Sequence, residues 1–324
     1  MFWKGKNVFI TGADGFIGSW ITKALVEKGA NVFVLIRDVK APKISLDYHG
    51  LRDKVTIIPG DITDYECMLK IINEKSIDTV FHLAAQPLVW IAYRNPLSTF
   101  ETNIKGTWNV LEAARNVPTV KRIVVASSDK AYGDQKKLPY TEDQPLNGLY
   151  PYDASKSCTD IITRCYHKTF GLPVAVTRLA NIYGGADFHF DRIVPGTIVS
   201  VLKGETPVIR SDGKPERDYM YIDDAVSAYL TLAENLDRKE IQGEAFNFGT
   251  GNVISVIDFF NMIIKLCGKN VKPKVLNEAK TEIVRQYLDS TKAKKMLGWE
   301  AKVPLEEGLK KTIVWYKEYL KGQK

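Results

Sequence analysis

The stretch from residue 7 to residue 29 constrains the fold most. A short apolar run at 7–10 is followed at once by three glycines, Gly12, Gly15 and Gly18, and then by an amphipathic helix predicted from Ser19 to Lys28. Gly12 permits a tight turn, Gly15 lets the backbone approach a pyrophosphate, and Gly18 lets the helix pack on the strand. The amides at the amino terminus of the helix then point at the phosphates. This order of strand, glycines and helix predicts a dinucleotide-binding unit, with a merely structural glycine turn as the alternative.

Strands and helices continue to alternate through the first half of the chain. Further strands are predicted at residues 31–36, 55–58, 79–86, 121–126 and 174–179. This alternation predicts an α/β fold with a doubly wound parallel (Rossmann) sheet. After Arg178 the alternation loosens, which indicates a smaller C-terminal substrate-binding lobe. We therefore expect a dinucleotide-binding domain at 1–180 and a substrate lobe at 181–324, some of whose strands can return to the first sheet.

The ends of the predicted strands supply further candidates for binding the dinucleotide. An acidic residue after the second strand favours NAD and an arginine favours NADP; the chain has both Arg37 and Asp38, so NAD is expected with NADP as the alternative. Asp61 has two interpretations, an acceptor for the adenine amino group or a loop cap. His82, in an apolar strand, is interpreted as a hydrogen-bonded core histidine. The full set of cofactor-binding candidates is Gly12, Gly15, Phe16, Ile17, Gly18, Arg37, Asp38, Asp61, Ile62, Leu83, Ala84, Ala85, Tyr152 and Lys156.

A serine, a tyrosine and a lysine form the predicted catalytic group. Ser128 follows the apolar run at 121–126, and Tyr152 and Lys156 lie four positions apart at the start of a predicted helix, so they share one face. A lysine ammonium beside a phenol stabilises the phenolate and lowers its pKa from about 10 towards neutrality. With a serine hydroxyl on the same substrate oxygen, the group transfers protons at an alcohol or carbonyl carbon. A buried tyrosine with a solvated lysine is the alternative, and the glycine turn argues against it.

Composition excludes several other classes of protein. The 324 residues carry 45 Lys and Arg against 38 Asp and Glu, and these charges form no block or basic-aromatic array, so we expect no nucleic-acid partner. The four cysteines, at 67, 158, 165 and 267, show no Cys-x-x-Cys pairing, so we expect reduced thiols, no metal site and a cytoplasmic location. No apolar run approaches the roughly 20 residues that span a bilayer, so we expect no membrane association.

The motifs together resemble a known family. The glycine turn, Leu83-Ala84-Ala85, Ser127-Ser128-Asp129 and the Tyr152/Lys156 pair are similar to those of extended short-chain dehydrogenase/reductases that modify nucleotide sugars. The resemblance continues through the segments Arg178–Gly185, Arg217–Asp224, Leu297–Trp299 and Leu305–Leu309. It implies a nucleotide-diphosphate sugar as substrate and a homodimer formed through the helices predicted at 98–115 and 154–170.

Within this family, Asp129-Lys130 resembles the CDP-glucose 4,6-dehydratases. There the aspartate acts as acid on the sugar C6 hydroxyl and the lysine as base at C5, so the resemblance implies a 4,6-dehydratase. The segments 132–134 and 217–221 look like generic epimerase and dehydratase sequence, so the nucleotide base and the hexose stay open. The alternatives are a nucleotide-sugar 4-epimerase, in which Asp129 and Lys130 have no chemical role, and a catalytically silent dinucleotide-binding regulator.

The same resemblance implies roles for residues on the substrate side. Tyr152 takes the C4 hydroxyl proton while the C4 hydride moves to the nicotinamide; Lys156 holds the phenolate and Ser128 fixes the new carbonyl oxygen. Asp223 and Asp224 precede an apolar helix and are interpreted as helix-capping residues rather than metal ligands. The predicted substrate-binding residues are Gln86, Asn181, Arg192, Arg217, Tyr221 and Arg285.

Overall fold

The computed structural model describes residues 2–39, 45–278 and 283–323. The strands are β1 (Asn7–Thr11), β2 (Asn31–Ile36), β3 (Thr56–Pro59), β4 (Thr79–His82), β5 (Arg122–Ala126), β6 (Val174–Leu179), β7 (Asn181–Tyr183), β8 (Val208–Ile209), β9 (Glu216–Tyr221), β10 (Ala245–Phe248), β11 (Val253–Ser255), β12 (Lys274–Val275) and β13 (Arg285–Gln286). The α-helices are α1 (Phe16–Glu27), α2 (Ser45–Tyr48), α3 (Tyr65–Glu74), α4 (Val89–Arg94), α5 (Pro96–Phe100), α6 (Gly106–Arg115), α7 (Pro151–Phe170), α8 (Ile193–Lys203), α9 (Ile222–Glu234), α10 (Val256–Leu266), α11 (Thr291–Leu297) and α12 (Leu305–Lys321).

Seven parallel strands form the main sheet, in the order β3-β2-β1-β4-β5-β6-β10. The chain moves outward from β1 to β3 and then crosses to β4 on the other side of β1. This reversal is the topological switch point of a doubly wound sheet, where ligands bind outside the carboxyl ends of the strands. The predicted α/β fold with a Rossmann sheet is therefore confirmed.

Alternating side chains on the strands build a core on each face of the sheet. In β1, Val8 and Ile10 belong to the cluster that includes α1 and α9, whereas Phe9 belongs to the cluster that includes α3 and α6. This alternation follows from the two-residue period of a strand. Burying each such side chain stabilises the fold by about 1.5–3 kcal/mol, so the strands at the switch point are held from both faces.

The second half of the chain builds a small sheet and also completes the large one. Strand β9 pairs with β7 and β13 in parallel and with β11 antiparallel. Strand β10 returns to the main sheet beside β6, and α9 packs against α1. The domain boundary at residue 180 stays a prediction. The main sheet contains six strands that precede this residue and one, β10, that follows it. Across the described ranges, no helix is long and apolar enough to cross a membrane.

A buried ion pair fixes α7 against the sheet. Arg178 of β6 donates to the Asp160 carboxylate of α7 at 2.7 and 3.0 Å, and both side chains are almost wholly buried. Arg178 also donates to the Tyr132 hydroxyl at 2.7 Å, in the 3₁₀ turn Asp129–Tyr132 that follows β5. Since α7 carries Tyr152 and Lys156, this one side chain joins the two segments that hold the predicted catalytic residues.

Candidate active site

Ser128 sits where β5 gives way to a short 3₁₀ turn. Its backbone is extended, and its hydroxyl accepts from the Lys130 amide at 3.2 Å, which caps the turn. The same hydroxyl donates to Asp129 Oδ1 at 3.1 Å. The turn therefore presents Ser128, Asp129 and Lys130 in succession at the carboxyl edge of the parallel sheet.

Tyr152 and Lys156 lie in the first turns of α7. The helix begins at Pro151, whose fixed φ suits the first helical position, and it ends at Gly171 in the left-handed region. The Tyr152 hydroxyl is hydrogen-bonded to Ser128, and the charges of Arg192 and Asp129 act on it. The structure thus brings Ser128, Asp129 and Tyr152 into one cluster.

The protonation of the tyrosine differs from the sequence prediction. Burial raises the pKa of Tyr152 to about 12, against the opposing effects of the positive charge of Arg192 and the Ser128 hydrogen bond. The prediction that the protein groups lower this pKa towards neutrality is therefore wrong. The Lys156 ammonium donates to the Ala126 carbonyl at 2.7 Å, and burial lowers the pKa of Lys156 to about 8. Desolvation penalises the charged form of both groups, and sequence spacing carries no information about it.

Asp129 and Lys130 form the second part of the cluster. Asp129 is only 4% exposed, so its carboxyl does not lie on the protein surface. Burial raises the pKa of Asp129, although Lys130, Ser128 and Arg217 all oppose the shift. Lys130 Nζ donates to Oε1 of Gln286 at 2.6 Å, across the cleft from its own turn.

Two residues of this cluster were missed from the sequence. Asp153 is buried next to Tyr152, and its pKa is raised to about 6 by burial and by Asp129, against the positive charge of Lys130. Its only sequence signal was its position inside the Tyr152–Lys156 motif. Gln286 had no signal at all, because its contact with Lys130 joins positions 156 apart.

The glycine turn packs tightly against the strand that follows the switch point. Gly12 has φ +76°, and a Cβ there would lie 2.7 Å from the Ala84 amide nitrogen. A Cβ on Gly18 would collide with the Gly12 carbonyl oxygen, and Gly15 donates to that oxygen at 3.1 Å. Helix α1 then begins at Phe16 without a side-chain cap. The three glycines leave a space that side chains at these positions would fill. This space and the free amides at the start of α1 fit the pyrophosphate of a dinucleotide.

The other predicted cofactor residues surround this turn. Arg37 and Asp38 are exposed just after β2, and the Arg37 charge acts on Asp14, whose pKa burial raises. Ile17 is partly buried in α1, and the segment Leu83–Ala85 follows β4 beside Gly12. Phe16 faces the core, which leaves its backbone amide as its contribution to the turn. These placements are compatible with the predicted roles, which remain predictions.

Asp61, Ile62 and His82 have mainly local partners. Asp61 Oδ1 accepts from the amide and the hydroxyl of Thr63, both at 2.9 Å, as the loop-cap interpretation predicts. Ile62 is buried against Gly106. The His82 ring bonds to Thr11 at 2.8 Å and to Thr107 at 3.2 Å, and burial lowers its pKa to about 3. The prediction of a hydrogen-bonded core histidine is confirmed.

Three of the predicted substrate residues lie around the catalytic cluster. Arg217 is buried, donates to the Glu216 carbonyl at 2.9 Å, and acts electrostatically on Asp129. Arg192 pairs with Asp187 at 3.0 Å while its charge acts on Tyr152. Asn181 donates to the Asp218 carbonyl at 3.2 Å, and Asp218 is itself influenced by Asp129. These contacts place Asn181, Arg192 and Arg217 on the side of the cleft formed by the second half of the chain.

The other predicted substrate residues have different surroundings. The Gln86 side-chain amide bonds to Leu88 in its own loop and to Thr99 of α5. Tyr221 is buried with its ring centroid 5.6 Å from that of Tyr183. Arg285 is half exposed and pairs with Glu216 at 2.5 Å. A substrate contact by any of the three is a prediction that these contacts do not support.

The adjacent acids Asp223 and Asp224 lie at the start of α9, where the sequence interpretation placed them. Both lie in the first turn of α9, but Asp224 accepts from the backbone amides of Lys302 and Val303 at 3.0 and 2.9 Å. The capping interpretation is wrong for Asp224, which ties the segment before α12 to α9. Among the residues the structure describes, no group of three or more His, Cys, Asp or Glu could hold a metal ion.

The sheet order, the glycine turn and Ser128 beside Tyr152, with Lys156 one helical turn further along α7, define a short-chain dehydrogenase/reductase. Such a site handles hydride and proton transfer at a carbon that bears oxygen. Comparison with known proteins is more specific. The chain belongs to the GDP-mannose 4,6 dehydratase family, whose model matches residues 9–312.

Individual relatives carry out two kinds of reaction. CDP-glucose 4,6-dehydratase of Salmonella typhimurium is 30% identical over 336 residues, covering 99% of this chain and 93% of that protein. UDP-glucose 4-epimerase of Thermotoga maritima, solved with UDP-glucose, is 34% identical with a TM-score of 0.88, covering 97% of this chain and 99% of that one. dTDP-glucose 4,6-dehydratase of Streptomyces venezuelae, solved with NAD bound, is 27% identical with a TM-score of 0.87, covering 96% and 97%. The family is therefore one of NAD-dependent sugar-nucleotide dehydratases and epimerases.

Proposed function

We propose that this protein is a CDP-glucose-like 4,6-dehydratase, which converts an NDP-hexose to an NDP-4-keto-6-deoxyhexose. The observation that carries the proposal is the buried Asp129 between Ser128 and Lys130, beside Tyr152. An epimerase needs only the serine, tyrosine and lysine. A buried carboxyl and a lysine next to them supply the additional acid and base that removal of water requires.

The first half of the reaction uses Tyr152, Lys156 and Ser128. Tyr152 accepts the C4 hydroxyl proton as the C4 hydride leaves, and the Ser128 hydroxyl donates to the developing C4 carbonyl oxygen. Because burial holds the pKa of Tyr152 at about 12, positive charge is needed beside the phenolate. Arg192 supplies part of it, and Lys156 lies one helical turn away.

The second half uses Asp129 and Lys130. The C4 ketone acidifies C5–H, Lys130 removes that proton, and Asp129 donates a proton to the departing C6 hydroxyl. Burial favours the protonated form of Asp129, which is the form a general acid needs. A protonated Asp129 also withdraws one negative charge from beside Lys130, which makes the neutral, basic form of the lysine easier to reach.

The glycine turn and the strand ends would hold NAD. When bound, this cofactor accepts the hydride from C4 and returns it to C6. Gly12, Gly15 and Gly18 leave room for the pyrophosphate, and the amides at the start of α1 face it. Asp38 would bind the adenosine ribose of NAD; Arg37 supports NADP as the alternative.

We further propose that the enzyme works in the cytoplasm as a homodimer. Cys67, Cys158, Cys165 and Cys267 all carry free thiols, as in reducing compartments. Leu97 of α5, Trp108 of α6 and Ile161 of α7 expose apolar side chains on neighbouring helices. Light scattering would report the mass of the particle, and Ile161→Glu is expected to convert a dimer to a monomer.

The test of the reaction is a panel of CDP-glucose, GDP-mannose, dTDP-glucose and UDP-sugars with product analysis by mass spectrometry. Loss of one water and a new ketone is the expected result, and the substrate consumed identifies the base. The similarity to UDP-glucose 4-epimerase makes 4-epimerisation the second candidate, for which the mass is unchanged and one stereocentre inverts. No turnover of any substrate would instead indicate a silent dinucleotide-binding regulator.

A further inference from the structure

Gln286 joins the C-terminal lobe to the catalytic turn. It lies on β13 with no exposed surface, and its Oε1 accepts from Lys130 Nζ at 2.6 Å. Within β13 it is paired in register with Arg217 of β9, a residue whose charge acts on Asp129. Two adjacent strands therefore direct a guanidinium and an amide towards the same Asp129-Lys130 pair.

The amide nitrogen of Gln286, unlike its oxygen, has no hydrogen-bond partner among the described residues. This nitrogen, Nε2, is buried. A buried donor without an acceptor destabilises the fold, whereas a methionine of similar size would fill the space without that penalty. Packing alone therefore does not account for an amide at this position, and its bond to Lys130 is the interaction that does.

The charges around Lys130 explain why a neutral acceptor suits the site. Asp129 precedes it on the same turn, and Asp153 faces it from α7; both carboxyls are buried and both interact with its charge. A further carboxylate would favour the charged lysine, which has no lone pair for a proton. An amide oxygen can accept from both –NH₃⁺ and –NH₂, so it keeps a bond to the nitrogen in both protonation states.

We infer that Gln286 is a positioning residue for Lys130 and aims its nitrogen at C5–H of the substrate. In the step concerned, the C5–H proton moves to the Nζ lone pair, and the C5–H electrons form the enolate of the C4 ketone. The enolate then expels the C6 hydroxyl as water, with the proton from Asp129. Lys130 later returns its proton to C5 when hydride arrives at C6. This inference rests on the proposed dehydratase function.

The matched variants are Gln286→Met, which keeps the size and removes the acceptor, and Gln242→Met, which removes an amide that bonds to the Leu236 carbonyl instead. In a single turnover in D₂O, three steps are followed: reduction of bound cofactor by its absorbance, deuterium entry at C5, and loss of water. Gln286→Met is expected to slow deuterium entry and water loss by about 10–100-fold and to leave cofactor reduction unchanged. Reduced cofactor then accumulates. Gln242→Met should behave as wild type in all three steps.

A conservative variant separates positioning from folding. Gln286→Glu restores an oxygen acceptor but adds negative charge, which favours the charged form of Lys130 that cannot accept a proton. Its C5 exchange should therefore be slow at neutral pH and recover as the pH rises, whereas Gln286→Met should not recover. Wild-type rates in Gln286→Met, or equal slowing of cofactor reduction and C5 exchange, would overturn the positioning role. If the wild-type protein inverts C4 without losing water, the proposed dehydratase function is wrong. The positioning role of Gln286, which depends on that function, is then wrong as well.

Discussion

The two sides of the active-site cleft are built in different ways. On one side, Ser128 and Asp129 follow β5, a central strand of the main sheet, and Tyr152 lies in the first turn of the twenty-residue helix α7. On the other, Arg217 and Gln286 lie on β9 and β13, which pair over two residues only. The first side is anchored by the parallel sheet and its two cores. The second depends on strand pairings of two or three residues and on individual side-chain bonds.

This contrast assigns different tasks to the two sides. Proton and hydride transfer need atoms held close to their reactive positions, which the central sheet and a buried ion pair supply. Recognition of a sugar nucleotide needs a surface that differs between relatives, and a small separate sheet allows this without disturbing the main one. We therefore expect changes on the first side to affect the chemical step or stability, and changes on the second to affect substrate affinity or a single step.

The largest expected effect is that of Tyr152→Phe. Removal of the phenolic hydroxyl eliminates the C4 proton acceptor, so kcat should fall by about 10²–10⁴-fold with little change in stability. Tyr150→Phe is the matched control, because Tyr150 is exposed two residues away. Steady-state turnover of the accepted sugar nucleotide measures both. Equal loss of activity in the two variants would contradict the assignment.

Next comes Arg178→Met, which tests whether the first side depends on its buried ion pair. Asp160 would be left buried without its main partner, at a cost of about 3–5 kcal/mol of unfolding free energy. Arg164→Met removes the other arginine near Asp160, at 4.0 Å and half exposed, and should cost about 0–1 kcal/mol. Urea unfolding measures the free energy of unfolding of both variants. Similar losses in the two would contradict the claim that the buried ion pair anchors this side of the cleft.

Lys156→Met is expected to gain stability while losing activity. The pKa of Lys156 is about 8 in the folded protein and 10.5 for an ordinary lysine. Between these pH values Lys156 is protonated in the unfolded chain and neutral in the folded chain. Burial of the Lys156 ammonium therefore destabilises the fold by its full amount below about pH 8, and this destabilisation disappears as the pH rises past 10.5. The variant should be about 1–3 kcal/mol more stable than wild type at neutral pH.

Thermal unfolding across this pH range measures the Lys156 effect. The gain in stability should shrink as the pH rises from 8 towards 10.5. A difference between variant and wild type that is constant with pH would show that burial of the ammonium is not its cause.

The smallest effect concerns the second side. Arg217→Lys loses the planar fork that matches phosphate oxygens, so KM should rise about tenfold, roughly 1.4 kcal/mol, with kcat nearly constant. Arg285→Lys should change KM by less than about twofold, because Arg285 is exposed and pairs with Glu216. Initial-rate kinetics on the two variants compare them directly. A larger effect at Arg285 would instead support its predicted role in binding the substrate.

The difference between the two sides also decided what could be predicted. The sequence predicted β2 at 31–36 and β6 at 174–179 with the bounds observed, because strand and helix patterns are local. The glycine turn was equally local. Ser128 and Tyr152 meet because parallel strands end at one edge of the sheet, a rule that needs no coordinates.

What could not be predicted depended on distant contacts. Arg217 and Tyr221 belong to one motif and are separated by about 13 Å of extended strand, and it is the charge of Arg217 that acts on Asp129. The high pKa of Tyr152 reflects burial, which the spacing of residues along the chain does not report. The bond between Lys130 and Gln286 could not be predicted either, because it joins residues 156 positions apart.

The central claim is tested most directly with a sugar nucleotide that carries deuterium at C4. The dehydratase reaction moves that deuterium to C6 of the same sugar while one water is lost, because the hydride is held on the bound cofactor between the two steps. Mass spectrometry and NMR of the product report both changes. Deuterium at C6 of a 4-keto-6-deoxy product is the predicted result. Deuterium retained at an inverted C4, with no loss of water, would contradict the account and identify an epimerase.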